Sequence, residues 1–394
     1  MKTKLWATDT ADSLDPDVEK YTIGKDSHVD KKLIGYDITA TIAHSEMLVG
    51  LKVLSVKEQK LIKKSLDKLS LALVQDDFSL LGFEDCHSYI EAYLTEHVGE
   101  SGKKIHTARS RNDQSLTMMR LYIKDSIKIH IKQVQALEQK LSYVAEKYND
   151  IAMPGYTHMQ KAMPTTVGAW LSAFAEALHD SVFALEATLS IIDQNPLGSG
   201  AGFGSSFNID RNITTKSLGF AKTQENPIYC GLSRGYFEII CLQSMNLSMV
   251  IIGKLMSDLL LFTTQEFCFF SLPKKYTTGS SIMPHKHNLD ALEIARGKCH
   301  IFSFHQQKIQ SIFGTIGSGY QRDLQLTKEI FVEAVEDAEE TIKILTKIIG
   351  ELEAHESCLE KAITPEMHSV TLINGLVSSG MSFRDAYVDV KMKL

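Results

Sequence analysis

The sequence predicts an all-α protein built around a central bundle of very long helices, and three observations carry that reading. Proline is scarce, eight in 394 residues, so few helices are forcibly broken. Long stretches lack both glycine and proline, and in them apolar residues recur at helical spacing. No run alternates apolar and polar residues with the period of two that a half-buried strand demands, although the loop around Ser199–Asn208 has room for short hairpins.

Asn112–Asp150 is the first long helix. Ile123, Ile127, Ile131, Val134, Leu137, Leu141 and Val144 step by four, four, three, three, four and three, one seam close to a coiled-coil repeat. At 1.5 Å per residue it is about 55 Å long, and the turn MPGYTH ends it. Thr165–Gln194 is the second, with Pro164 just ahead of its start. Ile228–Thr264 is the third, apolar on most sides and therefore buried in a bundle. Its greasiest part, Ile239–Gly253, is free of charge for 15 residues but carries Gln243, Ser244, Asn246 and Ser248, too short and too polar for a membrane span. Leu289–Phe313 and Leu326–Glu353 are two more helices. The segments do not repeat, which excludes a solenoid. A helix apolar nearly all round needs more neighbours than one chain supplies, so an oligomer with a shared bundle is expected. The chain is divided into an N-terminal helical domain (1–109), a central long-helix domain (110–355) and a C-terminal domain (356–394).

Composition narrows the function classes. At 44% hydrophobic and 23% charged, the chain reads as a soluble globular protein. Its net charge of −6, from 42 basic and 48 acidic residues, comes with no basic block and argues against nucleic-acid binding. The first twenty residues contain no apolar run of a secretory signal. Six scattered cysteines form no CxxC pair and read as reduced, mostly buried thiols of a cytoplasmic protein.

Three polar loops carry candidate chemistry. In KIHTARSRNDQ (Lys104–Gln114), Arg109, Ser110, Arg111 and Asn112 stand at a helix N-terminus, where free N–H groups favour an anion and arginine forks suit carboxylates. N-capping by Asn112 beside two solvated arginines explains the same residues equally well. In MPGYTHMQKAMP (Met153–Pro164), Pro154 and Gly155 make a tight turn that leaves Thr157 and His158 on its exit; a lone histidine is more often structural than catalytic. In TTGSSIMPHKHNLD (Thr277–Asp290), Gly279 frees the backbone, Ser280 and Ser281 are small, and Lys286 and Asn288 stand at the next helix start. Such a loop can close on a ligand and donate to an oxyanion, or it is simply a polar surface loop. His285 and His287 lie at i, i+2 with no further ligands nearby, so no metal site is expected. GSGAGFG within Pro196–Phe207 has the wrong glycine intervals for a dinucleotide fingerprint and follows a helix.

Taken together and in this order, the loops resemble the argininosuccinate lyase family of the fumarase/aspartase superfamily. The resemblance rests on HTARSRNDQ, PGYTHMQ, NPLGSGAGFGSSFNIDR, GSSIMPHKHNLDALE and GYQRDLQLTKE, with KLW near the start, EDCHSYIE at 84–91 and SFRDAY at 382–387. GSSxMPxKxN marks the superfamily and RSRNDQ the argininosuccinate branch. The resemblance implies a fumarase-like fold, a homotetramer with a twenty-helix core, and active sites shared between subunits. It implies β-elimination of argininosuccinate to arginine and fumarate in arginine biosynthesis, with no metal or organic cofactor. By motif, Ser280 is the general base, supported by Lys286, and His158 with Glu293 forms a proton relay. Ser110, Arg111, Asn112, Thr157, Asn288, Tyr320, Gln325 and Lys328 match substrate contacts. A sister lyase acting on adenylosuccinate or aspartate, and a non-catalytic crystallin-like protein, are the rival readings.

The pattern is broken in places. Ala108 replaces the usual glycine of TGRSRND, a substitution that costs about 1 kcal/mol if the position needs positive φ. His287 and Leu289 replace the usual lysine and proline. The EKYTIGKDSHVD segment departs from the commoner form, so Ser27 receives no role. Family members are expected to continue for roughly fifty residues past the SFRDAY segment, a substantial part of a small domain, which leaves the C-terminal domain incomplete and Leu372, Leu376 and Val377 exposed.

Overall fold

The computed structural model describes residues 14–75, 78–80 and 82–394; the KLW motif lies outside the described residues. In chain order the helices begin with α1 (Pro16–Ile23), α2 (Asp26–Gly50), α3 (Val56–Val74), α4 (Cys86–Val98) and α5 (Glu100–Lys103). The long α6 (Arg111–Lys147) leads into a hairpin of β1 (Ala152–Thr157) and β2 (Gln160–Thr166), and then α7 (Val167–Ile192). Next come β3 (Gln194–Asn195), α8 (Arg211–Ser217), β4 (Lys222–Thr223) and α9 (Pro227–Phe262). Two-residue strands β5 (Phe270–Ser271), β6 (Thr278–Gly279) and β7 (His287–Asn288) precede α10 (Asp290–Phe313) and α11 (Leu326–Ile349). β8 (Glu353–Ala354), α12 (Glu356–Ala362), α13 (Ser369–Ser378) and α14 (Phe383–Lys393) complete the chain.

Five long helices, α6, α7, α9, α10 and α11, fall where the apolar periodicity places them, within a few residues at each end; a sixth, α2, at 25 residues as long as α10 and α11, is not among those singled out in the sequence. The α6 seam faces the core: Ile123, Ile127, Val134, Leu137, Leu141 and Val144 are buried, and Ile131 is half-buried. Pro164, Thr165 and Thr166 belong to β2 rather than to the next helix. Strands do occur, in two-stranded pairs. The main hairpin lies at 152–166 and not near Ser199–Asn208, where only a single bridge joins Gly200 to Gly204.

The chain divides into two compact units, each drawn from three segments. The first comprises residues 1–129, 185–244 and 303–336. Its core includes Leu33, Ile34 and Leu48 of α2, Ile62 and Leu66 of α3, Ile90 and Leu94 of α4, and Phe237 of α9. Arg120, buried in the same unit, keeps its charge satisfied: it donates to the Gln194 carbonyl at 3.0 Å and Ser233 Oγ at 2.7 Å and lies 4.1 Å from the Phe237 ring centre. α9 is kinked inside this unit, where Arg234 (ψ 126°) and Gly235 (φ 83°) leave the helical region. A Cβ at Gly235 would stand 3.2 Å from Phe313, so left-handed backbone and close packing both demand glycine there. The Glu238 carboxylate accepts the Gly235 N–H at 2.8 Å and restarts the helix.

The second unit comprises residues 130–184, 245–302 and 337–394. Its apolar centre includes Met249, Ile252, Met256 and Leu259 of α9 with Leu345 and Ile349 of α11. α9 is the one described helix long and apolar enough by composition to cross a membrane, and 56% of its most apolar window is buried within the protein. It is nevertheless not buried all round: Leu247 and Val250 are 48% and 57% exposed. In the C-terminal part, Ile373, Ala386 and Val390 form a small core with Leu376 packed on it. Leu376 is therefore partly covered, against the expectation of exposure, because α14 lies over it, while Leu372 and Val377 are exposed.

Candidate active site

The first unit holds a cavity of about 1130 Å³. One wall is the start of α6. Ser110, not Asn112, caps this helix: its Oγ accepts the Asn112 N–H at 3.2 Å, and its own N–H donates to Asp113 Oδ1 at 2.9 Å. Two of the helix's first N–H groups are so satisfied, one by the cap hydroxyl and one by the Asp113 carboxylate. The Arg111 and Asn112 side chains line the cavity. Arg109 is buried rather than solvated; its Nη1 donates to Thr41 Oγ1 at 2.9 Å. The helix cap rests on a strained residue two positions earlier: Ala108 has φ 60°. The glycine that the family pattern carries at this position fits that backbone without cost, so Ala108→Gly should raise stability by about 1 kcal/mol, read as a shift in denaturant midpoint at unchanged m-value.

The helix α4 supplies the facing wall. Asp85 caps α4 through the Ser88 N–H at 2.7 Å and also accepts from the Arg111 guanidinium, which reaches Ser88 Oγ at 2.9 Å. Burial works against the Asp85 charge, but His87 and Arg111 outweigh it and hold the carboxyl well below the usual carboxylate range. His87, also buried, bonds Asp37 through Nδ1 at 2.7 Å. Burial alone would lower its pKa, yet Asp37, Asp85 and Asp30 raise it above the ordinary histidine value. Asp37, Cys86 and His87 bring three possible ligand atoms within 4.8 Å of one another, but Asp37 is already engaged, by His87 and by Gln114 Nε2 at 3.1 Å to both oxygens.

The third wall joins the α9 kink to the segment before α11. Arg234, 5% exposed, lies 4.9 Å from the Tyr320 ring centre, and both residues line the cavity. Gln325 Nε2 donates to the Thr22 carbonyl at 3.0 Å. Lys328 Nζ meets Asp30 at 2.8 Å and Asp26 at 3.1 Å. Burial opposes its charge, but the two aspartates more than offset this and raise its pKa. The structure thus brings Arg111, Asn112, Tyr320, Gln325 and Lys328 to one cavity; Ser110 stands behind them as the cap.

The glycine-rich loop after β3 is held to the same place. Asp113 Oδ2 accepts the N–H groups of Gly198 and Gly200, each at 2.9 Å. A Cβ on Gly200 would meet the Gly204 carbonyl oxygen at 2.6 Å. The glycines therefore serve close packing beside Asn112, with which Ala201 and Gly202 line a second cavity of about 70 Å³. Burial pushes the Asp113 carboxyl up to about 6, against the pull of its three N–H donors and Arg109. An acid whose folded pKa lies above its unfolded value binds its proton more tightly when folded. Stability from this group is therefore full below about pH 4 and falls through pH 6, by about 3 kcal/mol. Urea midpoints of wild type and Asp113→Asn across pH 4–7 should diverge in that window, with the wild type losing more.

The remaining predicted residues belong to the second unit. Thr157 pairs with Gln160 across a two-residue turn made by His158 and Met159. Both turn residues have positive φ, 53° and 61°, the geometry of a type I′ hairpin. The tight turn is thus His158–Met159, while Pro154 and Gly155 lie inside β1 beside a register shift. Such strain in non-glycine residues is characteristic of functional loops, and here it presents His158 to solvent at the hairpin tip. The serine loop is a second hairpin, with Thr278 paired to Asn288 and Gly279 to His287. Ser280 Oγ accepts the Met283 N–H at 3.1 Å and the Ile282 N–H at 3.4 Å. Ser281 to His287 are exposed, as is Glu293 on the first turn of α10. Among the described residues, no hydrogen bond or ion pair joins His158 to Glu293 or Ser280 to Lys286.

Sequence reasoning passed over Asp85, His87, Asp113 and Arg234. Asp85 and His87 stand in the EDCHSYIE segment, where an aspartate just before a helical run signals a cap. Arg234 had its own signal: an Arg–Gly pair inside an otherwise apolar helix marks a kink.

Residues 12–301 match the model of the lyase family. The chain is 40% identical over 388 residues to the argininosuccinate lyase of Thermotoga neapolitana, covering 98% of this chain and 97% of that protein. It is 37% identical to the argininosuccinate lyase of Parabacteroides distasonis, covering 100% of this chain and 88% of that one. Among solved structures, an EDDS lyase variant with bound fumarate superposes with TM-score 0.80 at 22% identity, over 97% of this chain and 76% of that one. The class II fumarase of Schistosoma mansoni superposes with TM-score 0.79 at 16% identity, over 95% and 91%. The predicted all-α fumarase-like fold is therefore the observed one, and with sequence identity extending over the whole chain, this protein belongs to the lyase family and, within it, to the argininosuccinate lyases.

Proposed function

We propose that the chain cleaves argininosuccinate to arginine and fumarate. The observation that carries this reading is the Arg109–Gln114 segment. It is the stretch that distinguishes the argininosuccinate branch, and it opens α6 at the wall of the large cavity with Arg111 and Asn112 facing inward. The full-length likeness to argininosuccinate lyases supports it.

The elimination needs a base at the carbon beside a carboxylate, donors for the resulting aci-carboxylate, and a proton for the leaving guanidinium nitrogen. Ser280 takes the proton. A serine oxygen is too basic to lose its own proton unaided, and here two backbone N–H groups already point at Oγ, which favours the alkoxide. Lys286 adds positive charge when the loop closes. Asn112, Thr157 and Asn288 donate to the substrate carboxylates, and Tyr320, Gln325 and Lys328 hold the amino-acid end. His158, charged and oriented by Glu293, relays a proton on the opposite face.

We further propose a homotetramer in which different subunits supply residues to one active site. The exposed apolar residues Leu247 and Val250 on α9 and Ile294 and Ile301 on α10 support such a covered bundle, since large apolar surfaces left in water favour association. No cofactor enters the chemistry, and the setting is cytoplasmic.

Fumarate release by the purified chain tests the reading, with argininosuccinate, adenylosuccinate and aspartate as parallel substrates and with or without EDTA. Release from argininosuccinate alone, unaffected by EDTA, is expected. Release from adenylosuccinate or aspartate instead would establish a sister lyase, and none from any substrate by an intact tetramer would favour a structural protein.

A further inference from the structure

Outside the residues discussed so far, the short pair β5–β8 brings two thiols together. Phe270 pairs with Ala354 and Ser271 with Glu353, and the His355 N–H extends the ladder by donating to the Phe269 carbonyl at 2.9 Å. Cys268 precedes this ladder by one residue on one side. Cys358 follows it by three on the other, in the first turn of α12, where its N–H is held by the His355 carbonyl at 3.0 Å. The strand register therefore places both thiols at the same end of the ladder, and Cys358 is the first cause raising the Cys268 thiol above its ordinary value.

The other four cysteines are buried, whereas Cys268 is exposed and Cys358 half-buried. Cys268 is also fixed in place. Its N–H donates to the Thr264 carbonyl at 2.8 Å, and the next N–H, of Phe269, donates to the Phe262 carbonyl at 2.9 Å. Its φ of 54° is one that non-glycine residues seldom adopt. This is an accessible thiol on a fixed backbone at the end of a ladder whose other strand leads to a second thiol.

We propose that Cys268 and Cys358 are a reversible dithiol–disulfide pair that exchanges with low-molecular-weight disulfides. The Cys268 thiolate attacks one sulfur of oxidised glutathione, forming a mixed disulfide and releasing the first glutathione as its thiol. The Cys358 thiolate then attacks Cys268 Sγ, the protein disulfide forms, and the second glutathione leaves. The protein gives up two electrons and two protons, and both are accounted for in the two glutathione thiols. A raised thiol pKa makes the first attack slow at neutral pH and faster in mildly alkaline solution.

The bond would tie α12 to the residue pair just before β5, the segment that runs on toward the serine hairpin. That root is already braced: the Tyr276 hydroxyl and the Lys275 ammonium both reach Glu351, at 2.7 Å and 2.5 Å. Oxidation would add a covalent tie at Cys268, two residues before β5, and reduction would remove it.

The test treats the native full-length chain with excess oxidised glutathione, then alkylates under denaturing conditions and maps the peptides by mass. Two of six thiols should be lost and one peptide pair, carrying Cys268 and Cys358, should be linked within a single chain; dithiothreitol should reverse it. Cys358→Ser should instead stop at glutathione on Cys268. Six alkylatable thiols after equilibration, glutathione trapped on wild-type Cys268 without the link, or a link between two chains on a non-reducing gel would each overturn the proposal.

Discussion

Ser280→Ala should lower kcat for fumarate release by roughly 10²–10⁴-fold, the range for a positioned acid or base, while the unfolding midpoint stays within experimental error. The two halves of that expectation have separate physical grounds. Ser280 is half-buried at the edge of a hairpin, and serine to alanine removes only one oxygen, so truncation opens little cavity. The lost acceptor leaves the Met283 and Ile282 N–H groups in a segment where water can replace it, which keeps the structural cost small. The chemical cost follows from the absence of any other group on the serine hairpin's near strand able to take a proton: Thr278 donates its hydroxyl to Asp290 at 2.6 Å, and Gly279 has no side chain. Wild-type kcat in Ser280→Ala would remove the serine from its role. A fall in kcat accompanied by an equal fall in folded fraction would show that the loop matters for folding instead.

How much of this was legible in the sequence differs between the two kinds of element. Long helices announce themselves through many residues acting together: seven apolar side chains of α6 repeat one spacing, so a single exception such as Ile131 does not obscure it. Two-residue turns and caps depend on one or two residues, and there the reading went astray. Pro154–Gly155 looks like a turn by composition, yet the chain turns at His158–Met159, which composition disfavours. Tertiary pairing of β1 with β2 overrides that local preference and stores strain at the residue proposed to relay protons. Ala108 is the same case in reverse. The family pattern places glycine there, positive φ was the named condition, and φ 60° meets it. The cavity itself was partly visible. Arg111, Asn112, Tyr320, Gln325 and Lys328 come from distant stretches, and motif order brought them to notice. The carboxylates that pair with the charged ones, Asp26, Asp30 and Asp85, were not anticipated, because ion pairs between separate helices leave no periodic trace.

Lys328→Met should lower stability by about 3–5 kcal/mol, the usual consequence of removing one partner from a buried ion pair, and should also abolish turnover. Lys328 is 3% exposed and faces Asp30, itself fully buried, so the lysine has a structural duty whatever its part in catalysis. Loss of activity in the single variant therefore proves little about substrate binding. Pairing it with Asp30→Asn separates the two roles. The double variant removes the uncompensated buried carboxylate, keeps an amide that still accepts the Cys86 N–H now held by Asp30 Oδ2 at 3.0 Å, and should recover most of the lost stability. If Lys328 serves only the fold, turnover returns with the midpoint. If its ammonium also holds the substrate, as proposed, the refolded double variant stays inactive, because no neutral side chain at position 328 supplies the charge that a carboxylate needs in a partly desolvated cavity. Equilibrium unfolding and fumarate release measured on the same samples decide between the two, and recovery of both together would reassign Lys328 from substrate contact to scaffold.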